Sequence, residues 1–204
     1  VSGWGLMAGV DRLFGTDGVR GRANTDLTVD MALDLARAAG EGTAGPVVIG
    51  RDTRRSGPMF TTALHAGFSS VGVDTIDVGV LPVGGVSRLL RQLEAPLAVM
   101  VSASHNPAED NGLKVLSGKG LKLDDEMEDE LESLIIRSEE LGSPRNDELG
   151  RVVDSRGVLA PLIAPRIDAT VGAPGGPEGQ APDASKSVDC YCMGHVLPPE
   201  WAAA

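Results

Sequence analysis

Short apolar runs, bounded by glycine, proline or polar turn residues, recur along the first part of the chain. Runs of this length and composition are typical of buried β-strands. The first and third are almost continuously apolar, as in parallel strands covered on both faces, whereas the second alternates apolar and polar residues. The predicted strands occupy residues 46–50, 73–79, 96–100 and 112–117.

Between these runs, apolar residues recur three and four positions apart, which predicts helices with one buried face. The helical segments are residues 28–44, a segment that begins after Ser56, residues 86–93 and residues 124–141. Ser56 is a candidate N-cap with Pro58 in the first turn. Acidic residues at 124–126 suit the positive end of the last helix.

Strands that alternate with helices predict an α/β fold, with a mainly parallel sheet and helices on both faces. We expect this domain to span residues 10–157. Beyond it, residues 171–187 contain four glycines and three prolines without periodicity, a composition typical of disorder. Residues 158–204 are therefore expected to be an irregular or disordered tail.

The chain has 204 residues and a net charge of −11. This balance, without a basic block, argues against nucleic acid or an anionic membrane surface as partner. An anionic substrate would therefore need a locally basic site. There is no apolar run long enough to span a membrane and no secretory signal, so we expect a cytoplasmic location. The pattern does not specify an oligomeric state.

Two cysteines lie near the end of the chain. Cys190, Cys192 and His195 are close in sequence, but their spacing fits no zinc pattern and a fourth ligand is lacking. We expect no zinc site there.

The run VSASHNP at residues 101–107 follows a predicted strand and carries the strongest chemical signal. Strand ends in open α/β sheets are where ligands bind. The Ser104 hydroxyl is a weak nucleophile without assistance, and His105 and Lys114 are near enough in sequence to assist it. Phosphoryl transfer depends on positioning and charge stabilisation, which this set could supply with Arg20. His105 could equally be a structural loop residue.

Two further loops are rich in glycine and arginine. Residues 14–21, FGTDGVRG, combine tight-turn glycines with the permanent charge of Arg20. Residues 50–57, GRDTRRSG, follow a strand and open a helix, whose first N–H groups attract anions. Either loop could instead be structural: an ordinary glycine-rich turn in one case, a solvated charged loop in the other. No G-x-S-x-G elbow is present, which weakens a serine hydrolase interpretation.

Three stretches together resemble the α-D-phosphohexomutase superfamily, and within it most closely the bacterial phosphoglucosamine mutases. They are FGTDGVRG at 14–21, GRDTR at 50–54, and SASHNP at 102–107 with NGLK at 111–114. Their order and spacing over about 145 residues make the resemblance specific. It implies the first of four domains, which carries the phosphoserine.

The resemblance also implies roles for individual residues. Ser104 would be the phosphoserine, with Arg20 contacting the phosphoryl group and His105 and Lys114 handling protons and charge. Substrate or phosphate binding would involve Thr16, Gly18 and Arg51. The implied reaction interconverts glucosamine 6-phosphate and glucosamine 1-phosphate, on the route to UDP-N-acetylglucosamine and the cell wall.

The implied cofactors are Mg²⁺, bound through the phosphate on Ser104, and glucosamine or glucose 1,6-bisphosphate as primer. The family's other magnesium ligands are aspartates of a DGDGD-type loop, which does not occur in these residues. We therefore expect an N-terminal portion of such an enzyme, with little or no mutase activity in this chain alone. The altered character after residue 157 suggests a reading-frame lesion, with out-of-frame residues from about 159 onward.

Two alternatives remain open. Within the superfamily, the chain could belong to a phosphomannomutase or phosphoglucomutase. From another class, it could be an inactive remnant or a phosphosugar-binding module that lacks the metal and sugar domains.

Overall fold

A computed structural model of the chain describes residues 13–15, 18–142 and 144–156, leaving out the side chain of residue 139. The predictions for Thr16, for the tail at 158–204 and for Cys190, Cys192 and His195 lie outside the described residues.

The described residues form one six-stranded sheet with helices on both faces, which confirms the predicted fold class. The strands are β1 (Val19–Arg22), β2 (Val47–Arg51), β3 (Thr75–Val80), β4 (Leu97–Val101), β5 (Asp110–Ser117) and β6 (Val152–Asp154). The helices are α1 (Val29–Gly40), α2 (Gly57–Ser70), α3 (Val83–Gln92) and α4 (Asp125–Ile136), and two 3₁₀ turns lie at Ser138–Glu140 and Asn146–Glu148.

The strand order is β1-β5-β4-β2-β3-β6. Pairings of β4 with β2, β2 with β3 and β3 with β6 are parallel, whereas β5 runs antiparallel to both of its neighbours. The sheet is therefore mainly parallel. The exceptions are the two antiparallel pairings of β5. Ser104 lies on the loop that connects β4 to β5.

Alternation along the strands divides the core into two layers, because successive side chains point to opposite faces. Val47, Ile49, Val99 and Val101 face the larger layer, which also contains buried residues of α1, α2 and α4. The smaller layer, on the other face, joins alternate residues of β2 and β4 to α3 through Val86, Leu89 and Leu90. Helix α3 covers the β2–β4 region of its face and so borders the surface beside β1 and β5.

Helix starts follow from capping chemistry in two cases and from tertiary contacts in a third. Thr28 accepts a hydrogen bond from the Met31 N–H at 3.3 Å. Asp124 does the same for the first turn of α4. Ser56 holds the predicted N-cap position of α2, but its side chain makes no capping hydrogen bond. Its Oγ instead accepts from Asn111 Nδ2 at 2.9 Å, which joins α2 to β5.

Candidate functional site

The candidate site lies where β2 and β4 end. Residues 102–109 connect β4 to β5, and Ser104 and His105 are exposed on this loop. Ser104 has a left-handed backbone, with φ of 55°. For a residue other than glycine, this conformation costs about 1–3 kcal/mol and persists only where the surroundings hold it. The hydroxyl predicted to carry a phosphoryl group therefore faces solvent on a constrained turn.

Hydrogen bonds hold the backbone on both sides of Ser104. Its N–H donates to Ser102 Oγ at 3.0 Å, and its carbonyl oxygen accepts from Arg54 Nη2 at 2.9 Å. Ser102 in turn donates to Asp52 Oδ2 at 2.7 Å. The loop that follows β2 thus supports the loop that follows β4.

Arg54 is the main support of the Ser104 loop. Besides the Ser104 carbonyl, Nη2 donates to the carbonyl oxygen of Asn106 at 2.8 Å. Nη1 donates to the carbonyl oxygens of Asp110, at 3.1 Å, and Pro107. One guanidinium therefore gathers four carbonyl oxygens of the segment 104–110.

Asp52 balances the charge of this guanidinium. Its Oδ2 accepts from Arg54 Nε at 3.0 Å and its Oδ1 from the Arg54 N–H at 2.9 Å. The two side chains are 10% and 20% exposed for Arg54 and Asp52 respectively. Charged pairs shielded in this way need several hydrogen bonds to offset desolvation, and the contacts to the loop backbone provide them.

Arg20 and Lys114 lie on one face of the sheet. Arg20 pairs with Gly112 across β1 and β5, and Lys114 is two residues further along β5, so both side chains leave the same face. Both residues are half-buried. Arg20 Nη1 donates to Asn106 Oδ1 at 3.5 Å, a long hydrogen bond that links the cation to the Ser104 loop. The structure thus links Arg20 to the Ser104 loop and places Lys114 on the same sheet face as Arg20; their predicted roles at Ser104 remain predictions.

Gly18 and Gly112 permit the close approach of these strands. Gly18 has φ of 90°, and a Cβ at this position would lie 2.3 Å from the Leu113 carbonyl oxygen. A Cβ on Gly112 would lie 2.6 Å from the Ser102 carbonyl oxygen and 2.9 Å from Arg20 Cγ. The structure therefore gives Gly18 a packing role; its phosphate-binding role remains a prediction.

Arg51 is the last residue of β2, opposite Val101 in β4. Its Nη1 donates to the carbonyl oxygen of Asp52 at 3.2 Å, within its own loop. A Cβ on Gly57 would lie 3.1 Å from Arg51 Cδ, which places the Arg51 side chain against the start of α2. Its predicted role in phosphate binding is not tested by these contacts.

Sequence reasoning missed the supporting residues Asp52, Arg54, Ser102 and Asn111. They lie within the motifs at 50–57, 102–107 and 111–114, and this position in the motifs is the signal that could have identified them. The sequence predicted either an anion site at the start of a helix or a solvated charged loop for residues 50–57. Arg54 instead donates hydrogen bonds from Nη1 and Nη2 to backbone oxygens of the Ser104 loop. These contacts join segments distant in sequence, so no local pattern indicates them.

The described residues contain no group of three histidine, cysteine, aspartate or glutamate residues placed to hold a metal ion. Within the same part of the chain, no helix is long and apolar enough to cross a membrane.

Shifted pKa values occur where β6 joins β3. Desolvation has the largest single effect on the Asp77 carboxyl and raises its pKa, but the nearby His65 ring, the hydrogen bond from the Gly79 N–H and the charge of Arg156 outweigh it. The net pKa of Asp77 is therefore lowered. Hydrogen bonds from Arg151 lower the pKa of Asp74.

At the end of β6, hydrogen bonds from Arg156 hold the pKa of Asp154 well below its usual range. The hydrogen bond to Asp74 raises the pKa of Arg151, and the hydrogen bond to Asp154 raises the pKa of Arg156.

Comparison with known proteins places this geometry in a family. The family model described as "Phosphoglucomutase/phosphomannomutase, alpha/beta/alpha domain I" matches residues 11–141. A phosphoglucosamine mutase of Symbiobacterium thermophilum is 52% identical over 152 residues, which cover 71% of this chain and 34% of that protein. A phosphoglucosamine mutase of Desulforamulus reducens is 40% identical, covering 89% of this chain and 48% of its own.

Among solved structures, a phosphoglucomutase/phosphomannomutase family protein of Burkholderia thailandensis aligns with a TM-score of 0.65 and 25% identity. The alignment covers 77% of this chain and 35% of that one. The chain thus spans about a third to a half of the length of these relatives. Because the family model covers more than half of the chain and agrees with the observed fold, the chain belongs to the phosphoglucomutase/phosphomannomutase family and carries its α/β/α domain I.

Proposed function

We propose that this chain provides the phosphoryl-carrying part of a phosphoglucosamine mutase, with Ser104 as the carrier. The observation that carries the proposal is the exposed Ser104 on a held turn, in a loop that the half-buried cation Arg20 contacts through Asn106. A phosphoryl group in transfer spreads negative charge over its oxygens, and nearby cations stabilise it. The overall charge of −11 makes this local positive charge the feature that admits an anion.

The proposed reaction has two balanced halves. A hydroxyl oxygen of the sugar phosphate attacks the phosphorus of phosphorylated Ser104 and loses its proton, while the bond from phosphorus to Ser104 Oγ breaks. A sugar bisphosphate forms. In the second half, Ser104 Oγ attacks the phosphorus at the other position of the sugar. The phosphoserine is restored, and the isomeric monophosphate leaves with a proton on its freed oxygen.

Within this scheme, Arg20 and Lys114 offset the phosphoryl charge. Arg20 is already linked to the loop through Asn106. His105 and Lys114 are the candidates for moving the proton between Ser104 Oγ and the sugar hydroxyl. His105 is exposed next to Ser104, and a neutral imidazole can accept a proton near neutral pH. Thr16, Gly18 and Arg51 are proposed to contact phosphate oxygens.

Magnesium and a bisphosphate primer belong to this proposal. A phosphate on Ser104 would give Mg²⁺ one oxygen ligand of the hard type it prefers. The described residues supply no cluster of carboxylates to complete the site. Glucosamine or glucose 1,6-bisphosphate would load Ser104 at the start. We place the reaction in the cytoplasm.

Glucosamine 6-phosphate is the proposed substrate because the curated relatives cited above are phosphoglucosamine mutases. A second candidate is a phosphomannomutase or phosphoglucomutase activity, favoured by the description of the family model and of the solved relative.

The first test measures loading of Ser104. The 204-residue chain is incubated with glucose 1,6-bisphosphate and Mg²⁺, and intact mass and peptide mapping follow the phosphoryl group. We expect one phosphoryl group on Ser104, and none in S104A. S133A, which changes an exposed serine of α4, supplies the control because it retains the Ser104 hydroxyl and its supporting residues. A phosphoryl group on S104A would contradict the proposal. So would the absence of any phosphoryl group on the unmodified chain.

A single-turnover experiment then separates the substrates. The phosphorylated chain is mixed with glucosamine 6-phosphate, glucose 6-phosphate or mannose 6-phosphate, and loss of the phosphoryl group is timed. We expect slow discharge by this chain alone, with glucosamine 6-phosphate the fastest of the three acceptors. Faster discharge to either of the other sugars would favour the second candidate.

A further inference from the structure

We propose that Arg54 is a positioning residue for Ser104, acting together with Asp52 and Ser102. The inference rests on the proposed function, because it concerns the geometry in which Ser104 accepts a phosphoryl group. Arg54 fixes the peptide unit that follows Ser104. Asp52 fixes the preceding unit through Ser102.

The hydrogen bonds around Ser102 have a defined direction. A carboxylate can only accept, so the Ser102 hydroxyl donates its hydrogen to Asp52 Oδ2. The lone pairs of Ser102 Oγ are then available to the Ser104 N–H, which lies 3.0 Å away. Asp52 therefore determines how Ser102 meets Ser104, although Asp52 itself makes no bond to Ser104 among the described contacts.

A guanidinium is suited to the other side of Ser104. Its planar fork offers five N–H donors, whereas an ammonium is a compact point charge with three. Arg54 directs Nη1 and Nη2 to carbonyl oxygens of Ser104, Asn106, Pro107 and Asp110. Its remaining donor, Nε, faces Asp52. Lysine at this position could not reach the same set of oxygens.

These two contacts constrain the φ and ψ angles of Ser104 together. The left-handed conformation, at φ of 55°, is disfavoured for serine. If either contact is lost, the turn can relax toward the common backbone regions. The Ser104 hydroxyl would then move relative to Arg20 and Lys114. Misplacement of a reacting group by about 1 Å can lower a rate by about 100-fold.

Arg54 is placed to act through Ser104 rather than on the ligand. Its side chain is only 10% exposed, and its nitrogens already donate to backbone oxygens and to Asp52. Its replacement should therefore lower the maximal rate of Ser104 phosphorylation and leave unchanged the bisphosphate concentration that gives half of that rate. A residue that binds the bisphosphate would raise that concentration.

The test compares R54K with R55K in the full 204-residue chain. Arg55 is the next residue and is exposed, so it controls for loss of an arginine in this loop. Rates are measured across glucose 1,6-bisphosphate concentrations and corrected for the folded fraction. We expect R54K to lower the maximal rate about 10- to 100-fold at an unchanged half-saturating concentration. R55K should match the unmodified chain.

A milder variant covers the case in which R54K does not fold. S102A removes the contact to the Ser104 N–H and leaves Arg54 in place. It should reduce the maximal rate with the same unchanged half-saturation. Wild-type rates in R54K or in a folded S102A, or a raised half-saturating concentration in R54K, would overturn the inference while leaving the proposed function intact.

Hydrogen exchange gives a result that does not depend on the chemistry. In a folded R54K chain, backbone amides of residues 103–110 should exchange faster than in R55K, with amides of β2 and β4 unchanged. If the unmodified chain accepts no phosphoryl group at Ser104, the proposed function fails, and this comparison still decides the inference. Equal exchange in R54K and R55K would overturn it. If R54K folds poorly, the exchange of the same amides is compared between S102A and the unmodified chain instead.

Discussion

Ser104 is exposed and has a disfavoured backbone conformation, which hydrogen bonds from half-buried side chains around it stabilise. A reactive group held in this way needs little reorganisation when its partner arrives. Asp52, Arg54 and Ser102 hold it without reacting themselves. Their residue types alone do not indicate this positioning role. At this scale, function therefore depends on side chains whose contribution is geometric.

Gly18 is a position where one methyl group should be decisive. Its φ of 90° is strained for alanine, and the added Cβ would lie 2.3 Å from the backbone oxygen of Leu113, which has no freedom to yield. We expect G18A to lower the free energy of unfolding by about 2 kcal/mol or more, as measured by urea denaturation.

Two other glycines separate the contributions to this effect. Gly42 has φ of 67° but open space around its Cβ position, so G42A should cost about 1 kcal/mol from the backbone alone. Gly84 lies in α3 with open space and no positive φ, so G84A should stabilise the chain by about 0.5–1 kcal/mol. If G18A cost no more than G42A, the close contact with β5 would be wrong.

Among the elements, the interior strands and the four helices were predictable from sequence, whereas β1 and β6 were not. Strands β2 and β4 bury nearly every residue, and the apolar runs express this directly. β1 has the sequence VRGR and β6 the sequence VVD, and three or four residues are too few to show a periodic pattern. They are strands because β5 and β3 offer them hydrogen-bonding edges, which no local pattern encodes.

Helix α4 shows where periodicity gives only part of the answer. Leu131 and Ile135 are buried as expected, but Met127 is 44% exposed and Glu128 is 2% exposed. Glu128 is buried because Lys122, before the helix, forms an ion pair with it at 2.9 Å. The predicted end, at residue 141, lies beyond Ile136, the last residue of α4, and a separate 3₁₀ turn at Ser138–Glu140 occupies part of the difference.

Helix α4 also anchors the segment that leads to Gly18 and Arg20. Glu132 Oε1 accepts hydrogen bonds from the N–H groups of Leu13 and Phe14, each at 2.9 Å. Replacement by alanine would leave both donors without this carboxylate, and Phe14 is buried. We expect E132A to lower the free energy of unfolding by about 1–3 kcal/mol.

The exposed Glu130, on the same helix, provides the control. E130A should change the free energy of unfolding by no more than about 0.5 kcal/mol. Thermal or urea denaturation of the pair measures the difference, and equal effects would show that the contacts of Glu132 add nothing.

At the scale of the molecule, the sheet has one end that carries the site and one edge that relies on ion pairs. Edge strand β6 exposes about half of Val152 and Val153, so apolar burial holds it weakly. Arg151 pairs with Asp74 at 2.7 Å and Arg156 with Asp77 at 3.6 Å. The edge should therefore be the acid-sensitive part of the fold.

The direction of this acid sensitivity follows from Asp77. Its pKa in the folded chain lies below the ordinary value of 3.8, so its contribution to stability is present above that pH and is lost as the pH falls through the lowered pKa. At pH 7 the unmodified chain should be more stable than D77N. Below about pH 4 the difference should shrink, because the Asp77 carboxyl becomes protonated first in the unfolded chain and, at lower pH, in the folded chain. Urea denaturation of both chains between pH 7 and pH 3 measures this difference, and a constant gap would show that the charge of Asp77 does not hold β6 to the sheet.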